Sequence, residues 1–267
     1  MLRDITLGQY YQTDSIIHRL DPRVKLATTV FFIITLFVVK EMAGFVLAGL
    51  FLFLVIKLSK VPFKFMMRGM KAIIFLLLFA VFFNLFLTPG EPAVTFWKIT
   101  ITWEGIQLAA TLTTRLIMLI MGSSIMTLTT TPSNLTDGME KLMRPLKVFK
   151  VPVHEVAMMM SIALRFIPIL LEETDKIMKA QIARGADFES GNLFKKAKSL
   201  VPLLVPLFIS AFRRANDLAM AMEARCYRGG DNRTKMKPLI YQARDRIAYL
   251  FVMIYFVAVV AVDRFLF

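Results

Sequence analysis

A chain of 267 residues that is 57% hydrophobic and 12% aromatic, with a mean hydropathy of +0.63, carries more apolar surface than a soluble domain of this size hides. Its formal charge of +14 keeps the basic residues out of hydrocarbon and turns them toward anionic headgroups or an acidic partner. The single cysteine, Cys226, excludes an internal disulfide and a thiol metal cluster, and the basic residues lack the interleaved aromatics of a nucleic-acid motif.

Residues 1–23 are polar and include Asp4, Asp14 and Asp21. No small-residue cleavage site follows the first apolar run, so that run is expected to stay in the mature chain. From Val24 to Leu128 the sequence is nearly all apolar, with 9 basic and 3 acidic residues. Four spans are expected there, near Val24–Val39, Ala43–Leu58, Ala72–Leu87 and Gly105–Leu128. Several are short against the roughly 20 residues of a straight span, so Lys25, Lys57 and Lys71 are expected to snorkel. Lys40-Glu41 with Gly44, Pro62, and Thr88-Pro89-Gly90-Glu91-Pro92 mark the breaks. Arg115 lies near the middle of the fourth span, where a charge costs on the order of 3 kcal/mol. It should face protein or water, with an ion pair or a backbone clamp preferred over a substrate contact.

The loop Lys57–Lys71 holds five basic residues and no acid, which places it in the cytoplasm. The N-terminus and the charged region after Leu128 then share that side. Trp97 and Trp103 fall in the outer loop, where interfacial aromatics lie.

Between Thr129 and Asp245 the composition changes to 19 basic and 12 acidic residues, many at helical spacing. Thr131-Pro132 opens a helix with Leu135, Met139, Leu142 and Leu146 on one face. A second helix repeats Leu171, Thr174, Met178 and Ile182. A third places Phe208, Phe212, Ala215, Ala219, Met222 and Cys226 in a stripe that narrows to small side chains, so the second and third are expected to cross. The domain helices are expected at about 131–150, 152–185 and 199–228. The stretch 152–171 is apolar enough to dip into the bilayer but contains His154, Glu155, Arg165 and Pro168, and 199–212 is too short to span. The methionines Met158-Met159-Met160 suit an adaptable packing surface that accepts different partners. A last apolar run, Ile247–Val262, within 246–267, closes the chain and brings the expected spans to about five.

The second and third helices end alike, at Ala183-Arg184-Gly185 and Ala224-Arg225-Cys226. A cation in a last turn is favoured by the helix dipole by about 0.3–1 kcal/mol, so spacing alone permits a solvated cap. The other reading is an anchor, in which each guanidinium enters a groove on a soluble partner and pairs with a carboxylate.

Ala163-Leu164-Arg165-Phe166-Ile167-Pro168, then Glu172-Glu173 and Lys179-Ala180-Gln181-Ile182-Ala183-Arg184-Gly185, closely resembles the signature of the T component of energy-coupling factor (ECF) transporters, the EcfT family. Gly8-Gln9-Tyr10, Ser15 and His18-Arg19-Leu20-Asp21-Pro22-Arg23 resemble its opening motif, and Lys141–Lys147 with Val151-Pro152-Val153-His154-Glu155 its next block. The resemblance implies an all-α integral membrane protein, with about five transmembrane helices at 24–128 and 246–267 and a cytoplasmic domain of long crossing amphipathic coupling helices at 129–245. It implies a scaffold coupling ATP hydrolysis by two ABC-type ATPases, EcfA and EcfA′, to uptake through a substrate-binding S component. The tips Ala183, Arg184, Gly185 and Ala224, Arg225, Cys226 would dock on the two ATPases, although glycine would be the simpler choice at Cys226.

No Gly-rich phosphate loop ending in Gly-Lys-Ser/Thr occurs, so the chain is not expected to cradle ATP itself. No cofactor or resident metal is expected either, and the chain is read as non-catalytic. The two histidines, His18 and His154, lie in separate segments and are expected to cap or pack. Two other classes remain. A membrane enzyme acting on lipid or isoprenoid phosphates would want a carboxylate cluster for a metal, and Glu172-Glu173-Asp175 is the nearest. A stand-alone secondary transporter would want internal repeats, which the sequence does not display.

Overall fold

The computed structural model describes residues 10–39, 41–71, 73–96, 99–186, 188, 193–230, 236 and 238–265, with side chains left aside at 68, 71, 93–96, 99–101, 193–198 and 265. Gly8, Gln9, Lys40, Ala72, Trp97 and Lys98, and the side chain of Lys71, lie outside them.

The chain divides into two compact units. The first to be described comprises Gly8–Leu142 and Leu239–Phe267. It contains α1 (Pro22–Val38), α2 (Met42–Ser59), α3 (Phe63–Lys71), α4 (Ile74–Leu87), a hairpin of β1 (Pro92–Phe96) and β2 (Ile99–Thr102), α5 (Trp103–Thr129), nearly all of α6 (Pro132–Met143) and α9 (Ala243–Phe265). Helices α1 and α2 each pack against both α5 and α9, and α3 and α4 pack on α5.

Without a hydrophobic drive between helices in lipid, close packing carries the association, and small residues permit it. A Cβ on Gly122 would stand 2.7 Å from the Phe32 ring and one on Gly44 2.6 Å from Val39. Around them a core of Phe32, Leu36, Phe45, Phe51, Ile125 and Tyr255 is buried. The rings of Phe51 and Tyr255 stack at 4.1 Å.

Helices α2, α5, α9 and α7 (Val153–Ala183) are long and apolar enough to cross a membrane, and α4, at 14 residues, is apolar but shorter. Three of the expected spans therefore stand at full length, while the ambiguous 152–171 stretch forms part of one 31-residue helix. The protein is an all-α multi-pass membrane protein, with one short antiparallel hairpin among the described residues, in the segment between α4 and α5 that the sequence reading left irregular. Thr102 ends that hairpin and caps α5, its Oγ accepting from the Gly105 amide at 3.1 Å. Trp103 is exposed.

Lys25 does not snorkel. It is only 7% exposed, and its Nζ donates to the backbone carbonyls of His18 at 3.1 Å and Thr129 at 2.8 Å. The ammonium is used as a tie between the N-terminal segment and the end of α5, which solvates it better than a distant headgroup could. Arg115 is a backbone clamp, donating to Val39 O at 2.8 Å, the carbonyl that ends α1.

The second unit comprises Met143–Pro238 among the described residues. It holds a 3-10 turn at Arg144–Phe149, α7, and α8 (Leu193–Ala224). The helix expected over 131–150 is broken at Met143, because Pro145 lacks an amide to continue the ladder. At the other end α8 begins earlier than the expected 199, and carries Pro202 and Pro206 within it.

Candidate functional site: two arginine-tipped helices

Helices α7 and α8 pack against each other in opposite directions, since Gln181 reaches Pro202 O while Glu173 reaches Ser210 and Arg214. Glu173 is the polar centre of the crossing. Its Oε1 accepts from the Ser210 hydroxyl and its Oε2 from the Arg214 guanidinium at 2.8 Å. Both oxygens of Glu173 are thus engaged by α8.

This corrects the expected seam. Of the expected stripe Phe208, Phe212, Ala215, Ala219 and Cys226 are exposed, Phe212 to 69%, and Met222 is half-buried, while the face turned inward carries Leu203, Leu207, Ser210, Arg214 and Leu218. The two stripes differ by about one helical position. The charged pair at the crossing, which sequence spacing does not weigh, fixes the rotation of α8.

The tips close with one shared geometry. At the end of α7, the Gly185 amide donates to Ile182 O at 2.9 Å and the Ala186 amide to Gln181 O at 3.0 Å, with Gly185 at φ +87°. At the end of α8, the Cys226 amide donates to Glu223 O at 2.8 Å and the Tyr227 amide to Met222 O at 3.0 Å, with Cys226 at φ +54°. Both are Schellman closures, in which a left-handed residue turns the chain back onto its last carbonyls. The third position of each Ala-Arg-X tip is therefore the left-handed one. That is the physical reason glycine suits it, and Cys226 accepts a strain of roughly 1–2 kcal/mol.

In both tips the alanine is the last helical residue and the arginine the cap. All six of Ala183, Arg184, Gly185, Ala224, Arg225 and Cys226 are exposed. The small alanine and the tight turn leave each guanidinium standing clear of neighbouring bulk. Each arginine lies eleven residues beyond its crossing residue, Glu173 or Arg214, which is about 16 Å of helix. The tips point from opposite ends of the pair, at most roughly 35 Å apart. Behind the second tip, Gly230 lies against the His154 ring at the start of α7, where a Cβ would come within 2.2 Å.

Other motif residues serve structure. Asp21 caps α1, accepting from the Arg23 amide at 2.9 Å and from its guanidinium. Burial disfavours the ionised Asp21, but those bonds from Arg23 hold its carboxyl below the ordinary range. Arg23 also stands 3.7 Å over the Tyr241 ring. His18 joins Ser15 Oγ at 2.7 Å and Tyr11 O at 2.9 Å.

Asp245 escaped the sequence reading. It is buried, takes the Gln242 amide at 2.8 Å, and takes the Asp21 amide at 2.9 Å, so one carboxylate caps α9 and braces the start of α1. An acid in the first turn of an apolar helix was the available signal. In the second unit Met159, Met160, Phe208 and Phe212 are exposed apolar surface on α7 and α8.

Residues 13–236 match the CbiQ family, described as cobalt transport protein. The energy-coupling factor transporter transmembrane protein EcfT of Clostridium kluyveri is 56% identical over 94% of this chain and 93% of its own length. The protein of the same name from Thermosediminibacter oceani is 53% identical over 93% and 94%. That from Bacillus subtilis is 47% identical over 92% and 93%. Identity at this level over nearly the full length, on a chain with these apolar helices and paired tips, leads to one assignment: the chain belongs to the CbiQ family, among the EcfT transmembrane proteins of energy-coupling factor transporters.

Proposed function

We propose that this chain is the non-catalytic transmembrane scaffold of an ECF transporter, coupling ATP hydrolysis by two ABC-type ATPases to substrate uptake through an S component. The observation that carries the reading is the pair of tips. Two helices end in the same left-handed closure and hold an exposed arginine at the same distance from a shared crossing. A solvated cap has no need of such duplication, whereas two similar ATPases with two similar grooves do.

In this mechanism each guanidinium pairs with a carboxylate in a groove of one ATPase, its planar fork supplying two parallel bonds. When the ATPases close on ATP, they draw Arg184 and Arg225 toward each other. The two helices pivot at Glu173, Ser210 and Arg214, and the movement reaches the S component, tilting it to release its cargo. The N-terminus, the Lys57–Lys71 loop and the tips lie in the cytoplasm, as the basic residues of that loop indicate. The exposed methionines and phenylalanines of α7 and α8 offer the S component an apolar surface that can repack.

The test is the double reversal Arg184→Glu with Arg225→Glu, read as co-purification of the ATPases and as uptake in cells. Loss of both is expected. Assembly and transport at the original level would remove the tips from the mechanism.

A further inference from the structure

The membrane unit holds a cavity of about 400 Å³, within the range of small-ligand sites. Its walls come from one end of four helices: Phe32 of α1, Val55 of α2, Ile125 of α5 and Phe251 of α9. In the orientation proposed above, all four belong to the cytoplasmic half of the bundle. Several lining side chains, among them Leu54, Ile247 and Phe251, remain exposed, so the cavity opens at the surface of the unit.

Among its lining residues there is no acid and there are two bases, Lys25 and Arg244. Lys25 is already bonded to two carbonyls. Arg244 is different. Its Nε is buried and has no hydrogen-bond partner among the described residues. Arg244 also sits in the first turn of α9, at the positive end of the helix dipole, where a cation is disfavoured. The adjacent acid, Asp245, is committed to the amides of Gln242 and Asp21. A buried guanidinium N–H without an acceptor is costly, and an anionic oxygen is the acceptor that suits it best.

We propose that this cavity binds a single membrane lipid with an anionic headgroup, its phosphate accepting from Arg244 and an acyl chain lying along the apolar walls. Charge complementarity selects the headgroup, since the walls present a guanidinium and no carboxylate. Depth selects a lipid over a free anion. From Arg244 to Val252 the lining of α9 runs about 12 Å, and from Lys25 to Phe32 the lining of α1 about 10 Å, close to the half-thickness of a hydrocarbon core roughly 30 Å across. A soluble phosphate would leave that apolar length bare.

The placement in the cytoplasmic leaflet rests on the orientation proposed above, but the test does not depend on it. The purified full chain in mild detergent is mixed with equal amounts of dioleoyl phosphatidylglycerol and dioleoyl phosphatidylcholine, and retained lipid is read by native mass spectrometry. One phosphatidylglycerol per chain is expected, favoured about tenfold, as loss of a charge-assisted hydrogen bond implies. Arg244→Gln should bring the two lipids level, and Ala248→Trp, which fills the cavity, should remove both. Equal retention by the original chain, or unchanged phosphatidylglycerol in both variants, would overturn the proposal. A gain in S-component binding by the lipid-free Ala248→Trp chain would reassign the cavity to protein.

Discussion

Glu173 on α7 and Arg214 on α8 meet at 2.8 Å, and each stands eleven residues ahead of the arginine that ends its helix. In the mechanism proposed above the crossing serves as a fulcrum with two equal arms, and a displacement at one tip is passed to the other only while that contact holds.

Breaking the pair should uncouple the arms before it unfolds them. Both side chains are partly exposed, so the pair is expected to stabilise by no more than about 1 kcal/mol. Glu173→Gln and Arg214→Gln should each lower uptake while leaving the ATPases bound. The exchange Glu173→Arg with Arg214→Glu should recover part of the loss. A double-mutant cycle on uptake rate measures the coupling, and strict additivity of the single changes would show that the pair does not act as a unit.

The left-handed residue at each tip predicts opposite responses to substitution. Cys226→Gly should relieve strain and stabilise the last turn of α8 by roughly 1 kcal/mol, without loss of ATPase binding. Gly185→Val should cost roughly 1–2 kcal/mol and fray the last turn of α7. Hydrogen exchange at the Cys226, Tyr227, Gly185 and Ala186 amides reads both effects directly.

The N-terminal segment should loosen in acid. Tyr11 O can only accept, so His18 Nε2 carries the proton and Nδ1 accepts from the Ser15 hydroxyl, an arrangement that only the neutral ring permits. Burial pushes the His18 pKa below its ordinary 6.5, although the bond to Tyr11 works the other way. The folded form thus binds its proton later than the unfolded form. Its contribution is complete above pH 6.5 and falls as the pH drops from there through the folded pKa. Thermal melts between pH 8 and pH 5 should show this decline, and His18→Gln should flatten it.

Arg115 should matter for stability more than for transport specificity. Replacing it with Leu leaves Val39 O without its donor at the end of α1, and a loss of about 1–3 kcal/mol is expected. Arg115→Lys should recover only part, because an ammonium lacks the planar fork. Melting temperature in detergent measures the first effect. An altered substrate profile with unchanged stability would argue instead for a substrate contact.

How much of this was written in the sequence depends on the kind of interaction. The apolar runs of α2, α5 and α9 were legible because lipid imposes one requirement, a continuous apolar length, that composition reports directly. The tips were legible because Ala183-Arg184-Gly185 and Ala224-Arg225-Cys226 repeat a local pattern, and a Schellman closure is local chemistry. The rotation of α8 was not, since a stripe of small residues at 215 and 219 looked as good a seam as the one used. What turned the helix was a carboxylate 41 residues before Arg214, a contact no spacing rule encodes.

The sequence by itself determined a membrane protein with basic surfaces and two arginine-tipped helices, because hydropathy, charge and capping act over a few residues. Only the tertiary structure decided that Lys25 is buried as a tie, that Asp245 braces two helix starts, and that Glu173 locks the crossing. Each of those joins residues far apart in the chain. Burial forces a polar group to find whichever partner the fold brings near, and that partner is known only once the fold exists.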